Sequence, residues 1–327
     1  MEQQYTNEVL ETIRRNVEGD YEVSQTMSRK NNNTEITGVI IRDKKNMQKV
    51  EPVFYIDEYY EHGYDPAEIG MLILAKYKEM KEVGVPAFDV RDITNFDIIK
   101  DRIKSKVINM EMNDLYLEDK PYIQISDDLA ICFYVDINRD ATATVPVTFS
   151  LAKIWDIQDE NELFSIAYEN HKPAQLIPMA QAIVQSISEI DLEIMKFESG
   201  NGDLTDDEFK EYLIESQSNM IPMYVWREGE TLGASAMIYA DNIKAALEQI
   251  GGEFYILPSS IHEVIVLTYS YKYTVEDLKQ MIQQVNSSQL RPEEVLSDHP
   301  YIVTREGEIF AATEREDLVQ ESFGEER

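Results

Sequence analysis

Basic residues are scarce in this chain: 30 Lys and Arg stand against 62 Asp and Glu, a formal charge of −32 over 327 residues. A surface this negative repels phosphate backbones, which argues against direct nucleic-acid binding by the body of the protein. Cysteine is nearly absent. The single Cys132 excludes an internal disulfide framework and fits a reducing, cytoplasmic setting. It lies in the apolar run Leu129–Val135, where a buried, inert thiol is expected. No stretch approaches the length of a membrane span, the run most worth noting being Met71–Ala75, and the first twenty residues are polar with no apolar leader core. Histidine is limited to His62, His171, His262 and His299, without His-Glu-x-x-His or paired-cysteine spacing. Phosphate loops, dinucleotide fingerprints and basic aromatic-rich patches are also missing, so no cofactor is expected.

What is present reads as a folded chain, 43% hydrophobic and 10% aromatic. Val9, Leu10, Ile13 and Val17 put one apolar face on a helix over residues 3–18. Alternating segments Tyr21–Met27 and Glu35–Ile41 flank the turn-prone Asn31-Asn32-Asn33, and a third extended run covers Pro52–Ile56. Asp65 caps a helix that opens on Pro66, has Ile69, Leu72, Ile73, Tyr77, Met80 and Val83 as its stripe, and stops at Gly84 and Pro86. Leu129–Ile137 and Thr142–Phe149 form a hairpin, with short helices after it. Pro222–Trp226 and Ala234–Tyr239 read as strands before a helix over Asp241–Ile250, and Val147–Lys153 matches Met237–Lys244 as if two hairpin-plus-helix units were duplicates. Strands at Phe254–Leu257 and Glu263–Tyr269 precede a helix capped by Thr274. The expected fold is α+β with mainly antiparallel sheets built from hairpins and interspersed helices. Residues 1–95 form a small unit and 96–305 the main body, with halves at about 125–175 and 220–290. Residues 306–327 form an acidic tail expected to fray after a last short strand.

Chemistry-bearing residues gather in two places. Ser259-Ser260-Ile261-His262-Glu263 and Asp298-His299 hold the parts of a nucleophilic triad, a hydroxyl, a base and a carboxylate. They lack a Gly-x-Ser-x-Gly elbow and a nearby glycine-rich oxyanion hole, and a tight turn whose serines bond backbone groups is the favoured account of them. His262 and His299 with a carboxylate would make a metal site if the fold brought them together. Phe197–Glu208 is a degenerate calcium-like loop with Asn201, Asp203 and Glu208 as ligand candidates. Phe197 stands where the first ligand oxygen belongs, and Thr205-x-x-Glu208 reads as a helix capping box.

The words Leu257-Pro258-Ser259-Ser260-Ile261-His262-Glu263-Val264 and Pro292-Glu293-Glu294-Val295-Leu296-Ser297-Asp298-His299 resemble the signature of one bacterial family, the domain of unknown function numbered 5688. The family is common in gut Clostridia and carried on mobile elements. The resemblance runs over most of the chain and implies a family without an assigned activity. The expected function is a non-enzymatic cytoplasmic protein that works through a protein partner. One alternative is a hydrolase using Ser260, His262 and Asp298 or His299. A second is an acidic DNA mimic, because the charge excess lies wholly after residue 50 and is densest at Asp203–Glu215 and Glu314–Glu326.

Overall fold

A computed structural model describes residues 3–45, 51–83, 90–139, 141, 143–217, 223–229, 231–258, 260–269 and 273–312. Gly84, Pro86, Asp140, Thr142, Pro222, Ser259 and the tail from Thr313 lie outside them. The fold is α+β with three antiparallel sheets. Among the described residues no helix is long and apolar enough to cross a membrane.

The first sheet begins after α1 (Gln3–Asn16) and has the order β1 (Tyr21–Arg29), β2 (Glu35–Asp43), β3 (Val53–Tyr55). A short α2 (Asp57–Glu61) leads into α3 (Pro66–Val83). Val9, Leu10 and Ile13 recur every three to four residues, so α1 buries one stripe against α3 and the sheet residues Val23, Val39 and Ile41. Asp65 Oδ1 accepts the Ala67 and Glu68 amides at 2.9 and 3.1 Å, which fixes the start of α3. The α3 stripe is rotated from the expected one: Leu74 is buried beside Ile69, Ile73 and Tyr77, whereas Leu72 and Met80 are exposed. The reason is Gly70. A Cβ there would lie 2.8 Å from Thr12 Cβ and 3.0 Å from the Val9 carbonyl, so the bare backbone lets α1 close onto that side of α3.

The second sheet is laid around one strand. After α4 (Phe96–Ile99) come β4 (Ile103–Asn109), α5 (Asp114–Leu117), β5 (Tyr122–Gln124), β6 (Leu129–Asp136) and β7 (Thr144–Pro146). β4 pairs along one edge of β6 while β5 and β7 share the other, and all eight of its residues are buried because packed side chains cover both of its faces. Helices α6 (Phe149–Ile154) and α7 (Glu160–Asn170) close this core, and Trp155 within it donates to the Ile93 carbonyl at 2.8 Å.

The third sheet holds six strands. The chain supplies β8 (Leu176–Pro178), then α8 (Met179–Ser186), α9 (Glu189–Glu198) and α10 (Asp206–Gln217), before returning as β9 (Met223–Trp226). It continues through α11 (Ala240–Ile250), β10 (Phe254–Leu257), β11 (Val264–Thr268), α12 (Val275–Gln289), β12 (Tyr301–Val303) and β13 (Ile309–Ala311). The strand order is β13-β12-β10-β11-β9-β8. Since β8 and β9 are neighbours, α8–α10 form an excursion from the edge of the sheet. Gly251 ends α11 at φ +83°, and Thr274 with Asp277 forms the capping box of α12.

One expected strand is a different element. Gly233–Ile238 is a 3-10 helix, entered through Leu232 at φ +57°, with all but its last residue buried, and β9 pairs instead with β8 and β11. Small residues allow this. A Cβ on Gly233 would sit 2.7 Å from the His262 carbonyl, so the chain can run there only as bare backbone.

Candidate functional site

The two signature segments lie side by side. Ile261 donates its amide to the Glu294 carbonyl at 2.9 Å, Ser297 donates to the Pro258 carbonyl at 3.0 Å, and Ser260 forms a bridge with Val295. Ser260 is buried, and its Oγ accepts the His262 amide at 3.0 Å, a local serine turn. His262 Nδ1 accepts the Leu232 amide at 3.2 Å. Its ring proton therefore sits on Nε2, which faces Glu294 Oε1 at 3.8 Å. Glu263 pairs with Arg227 at 3.3 Å. Asp298 accepts from Asn286 Nδ2 at 2.7 Å, and His299 donates its amide to Ser297 Oγ at 3.1 Å. Among the described residues, then, the backbone brings the motifs together, while no hydrogen bond or ion pair joins the Ser260 hydroxyl to a histidine ring, or Asp298 or His299 to His262. A nucleophilic hydroxyl needs its base within hydrogen-bond reach.

The calcium-like loop is occupied by its own capping. Glu208 Oε2 accepts the Thr205 amide and hydroxyl, both at 2.8 Å, and its amide donates to Thr205 Oγ1 at 3.3 Å. Asn201 Nδ2 donates to Ser199 Oγ at 3.1 Å, and Asp203 is exposed. No group of three His, Cys, Asp or Glu side chains suited to a metal ion occurs among the described residues.

What the signature does hold is a polar knot between all three sheets. The asparagine turn at the tip of the β1–β2 hairpin enters it, with Asn32 and Asn33 at φ +58° and +52°. Asn32 Nδ2 donates to the Pro292 and Val295 carbonyls at 2.8 and 2.7 Å. Asn31 Nδ2 reaches the Glu293 carbonyl at 3.0 Å. Asn113 closes the pair, accepting the Asn32 amide and donating to Asn32 Oδ1, both at 2.8 Å. Asn109, at the end of β4, donates to the Leu296 carbonyl at 3.2 Å. On the far side, Asp128 accepts from Ser297 Oγ at 2.6 Å and from the Tyr301 phenol, whose own ionisation is pushed up by burial and by that carboxylate. Arg291 grips Glu294 at 2.7 Å. Burial pushes Glu294 up, but its bonds from Arg291 outweigh this and hold it below the usual carboxylate range.

A second cluster had no sequence signal. His171, the residue after α7, has Nδ1 against the Tyr168 carbonyl and Nε2 at 2.9 Å from Asp241 Oδ2, and its ring stacks 4.1 Å from Tyr239. Both ring nitrogens face oxygens that only accept, so the imidazole bridges the end of α7 and the start of α11. Asp241 in the first turn of α11 suits the local helix dipole. Burial pushes Asp241 up, but His171 and the Tyr168 hydroxyl hold it below the usual carboxylate range. In the second sheet, Lys106 lies opposite Cys132 and over the Tyr116 ring at 4.5 Å. Burial pushes the Lys106 ammonium down and the Cys132 thiol up to about 12, the mark of an unreactive thiol. A groove of about 530 Å³ beside β5 is lined by Pro121–Gln124, Phe149, Glu160 and Asn161, apart from every candidate above.

The surface of α9 differs from the rest. Ile190, Ile194 and Phe197 are 74%, 50% and 84% exposed, while Leu192 and Lys196 are buried. Lys196 is held between Glu193 at 3.1 Å and Asp206 at 2.8 Å, tying α9 to α10.

No curated protein and no solved structure matches the chain. The family described as a family of unknown function, DUF5688, matches residues 2–305.

Proposed function

The chain belongs to the DUF5688 family, whose function is unknown, so its role must be read from its own surface, and we propose a non-enzymatic cytoplasmic protein that acts by binding a protein partner. The observation that carries this reading is the exposed apolar face of α9, set on an excursion from the sheet where a partner can reach it. The side chains of the serine–histidine motif support it as well, since they are spent on turn and knot hydrogen bonds. Photo-crosslinking in the native host tests it, with a benzophenone amino acid placed in turn at Ile190, Met112 and Tyr122. A discrete protein adduct from any one position is the expected result. No adduct from any position, together with labelling of Ser260 by a fluorophosphonate probe, overturns the reading in favour of a hydrolase.

A further inference from the structure

Ile190, Ile194 and Phe197 stand at i, i+4 and i+7, which places them within about 60° of one another around the helix. Leu192 and Lys196 lie roughly opposite and are buried, Lys196 against Asp206 of α10. Ile190 and Phe197 are the two most exposed large apolar side chains among the described residues. Single exposed apolar residues are ordinary on a protein surface, but three in register on one helix face form a docking stripe.

The charge around the stripe selects its occupant. Residues 179–217 carry ten acids and two lysines. One of the lysines, Lys196, is buried between Glu193 and Asp206. Glu189, Asp191, Glu193 and Glu198 alternate with the stripe along α9 itself. A second copy of the chain would bring the same acids against these, and an anionic membrane surface would be repelled by them. A helix with an apolar face flanked by Lys and Arg meets both demands, covering the stripe and pairing with its rim. Resting on the reading that the chain acts through a protein, we propose that α9 is the docking face for a cationic amphipathic helix of that partner.

The test uses the full chain and two labelled model peptides, a Leu/Lys and a Leu/Glu amphipathic helix, followed by fluorescence anisotropy. The expected result is saturable one-to-one binding of the Leu/Lys helix, weakened by salt, with no binding of the Leu/Glu helix. Phe197→Asp should weaken it by at least about tenfold. Ile154→Asp, at another exposed apolar position on α6, should leave it unchanged. Equal binding by wild type and Phe197→Asp, or equal loss in both variants, overturns the proposal. So does self-association of the wild type that Phe197→Asp abolishes, or binding to phosphatidylserine vesicles through the same residues. A crosslinked partner that maps to Met112 or Tyr122 and not to α9 also overturns it, while leaving the wider reading of a partner-binding protein intact.

Discussion

Replacing Asn32 isolates the knot at the signature. Its side chain makes three hydrogen bonds, to Pro292, Val295 and Asn113, and its backbone sits at φ +58°. Asn32→Ala removes all three and keeps the left-handed backbone, which alanine tolerates poorly. At about 0.5–1 kcal/mol for each bond and about 1 kcal/mol for the conformation, the loss is about 3 kcal/mol. Asn32→Gly loses the same bonds but adopts this backbone without strain, so its cost should be nearer 2 kcal/mol. Asn32→Asp should be the most severe of the three, because it sets a carboxylate against two carbonyl oxygens. Urea unfolding at neutral pH measures these differences with two probes. Both tryptophans, Trp155 and Trp226, lie in the body, whereas circular dichroism also follows α1, α3 and the first sheet. If the knot fastens the N-terminal unit, the two curves separate in Asn32→Ala and coincide in the wild type. An alanine variant within about 0.5 kcal/mol of wild type, or a glycine variant less stable than the alanine one, refutes the reasoning.

Three further outcomes follow from the same geometry. Ser260→Ala should cost about 1 kcal/mol through the lost turn bond, and Ser260 should stay unlabelled by a fluorophosphonate; labelling that disappears in His262→Ala would mean a working nucleophile. Glu294 is held below its ordinary value of 4.5, so the unfolded chain takes up its proton first as pH falls. Its contribution is complete above 4.5 and is lost as pH falls through the folded value, and urea midpoints between about pH 6 and pH 3 should decline less steeply in Glu294→Gln. Lys106 is pushed below 10.5 by burial and has no carboxylate partner among the described residues, so it opposes folding at neutral pH, where the unfolded amine is charged freely. Lys106→Met should accordingly raise stability by about 1 kcal/mol in thermal melts, and a loss of that size would show an unrecognised partner for the amine.

Local rules were legible where the residues that obey them are close in sequence. The caps at Asp65, Thr205 and Thr274 are set by side chains two or three residues from the amides they accept, and each is formed as the spacing implies. The period of α1 and the continuous run of β6 likewise announce their burial. Ala234–Tyr239 reads as a strand because Ala-Ser-Ala-Met alternates small residues in a way that the largely buried 3-10 helix Gly233–Ile238 also does. What settles it is the His262 carbonyl against Gly233, a contact about thirty residues away. The Leu72-for-Leu74 error has the same origin, in Thr12 against Gly70. Asn31–Asn33 declared a turn but not what the turn would hold, and Ser188 caps α9 without announcing that Phe197 would stand exposed.

The asparagine turn also orders events in time. Asn32 meets its acceptors about 260 residues later in the chain. At ribosomal speeds of about 5–20 residues per second, the hairpin tip is synthesised roughly 15–50 s before the Pro292–Leu296 segment exists. The contacts within the first sheet and its helices are short in sequence and can form in that interval, so the nascent N-terminal unit waits, already shaped, with three asparagine side chains hydrated. Synthesis of the Pro292–Val295 segment then acts as the fastening step. A ribosome stalled before residue 291 would hold an N-terminal unit folded but unmoored, and protease should cut such nascent chains faster than the full chain.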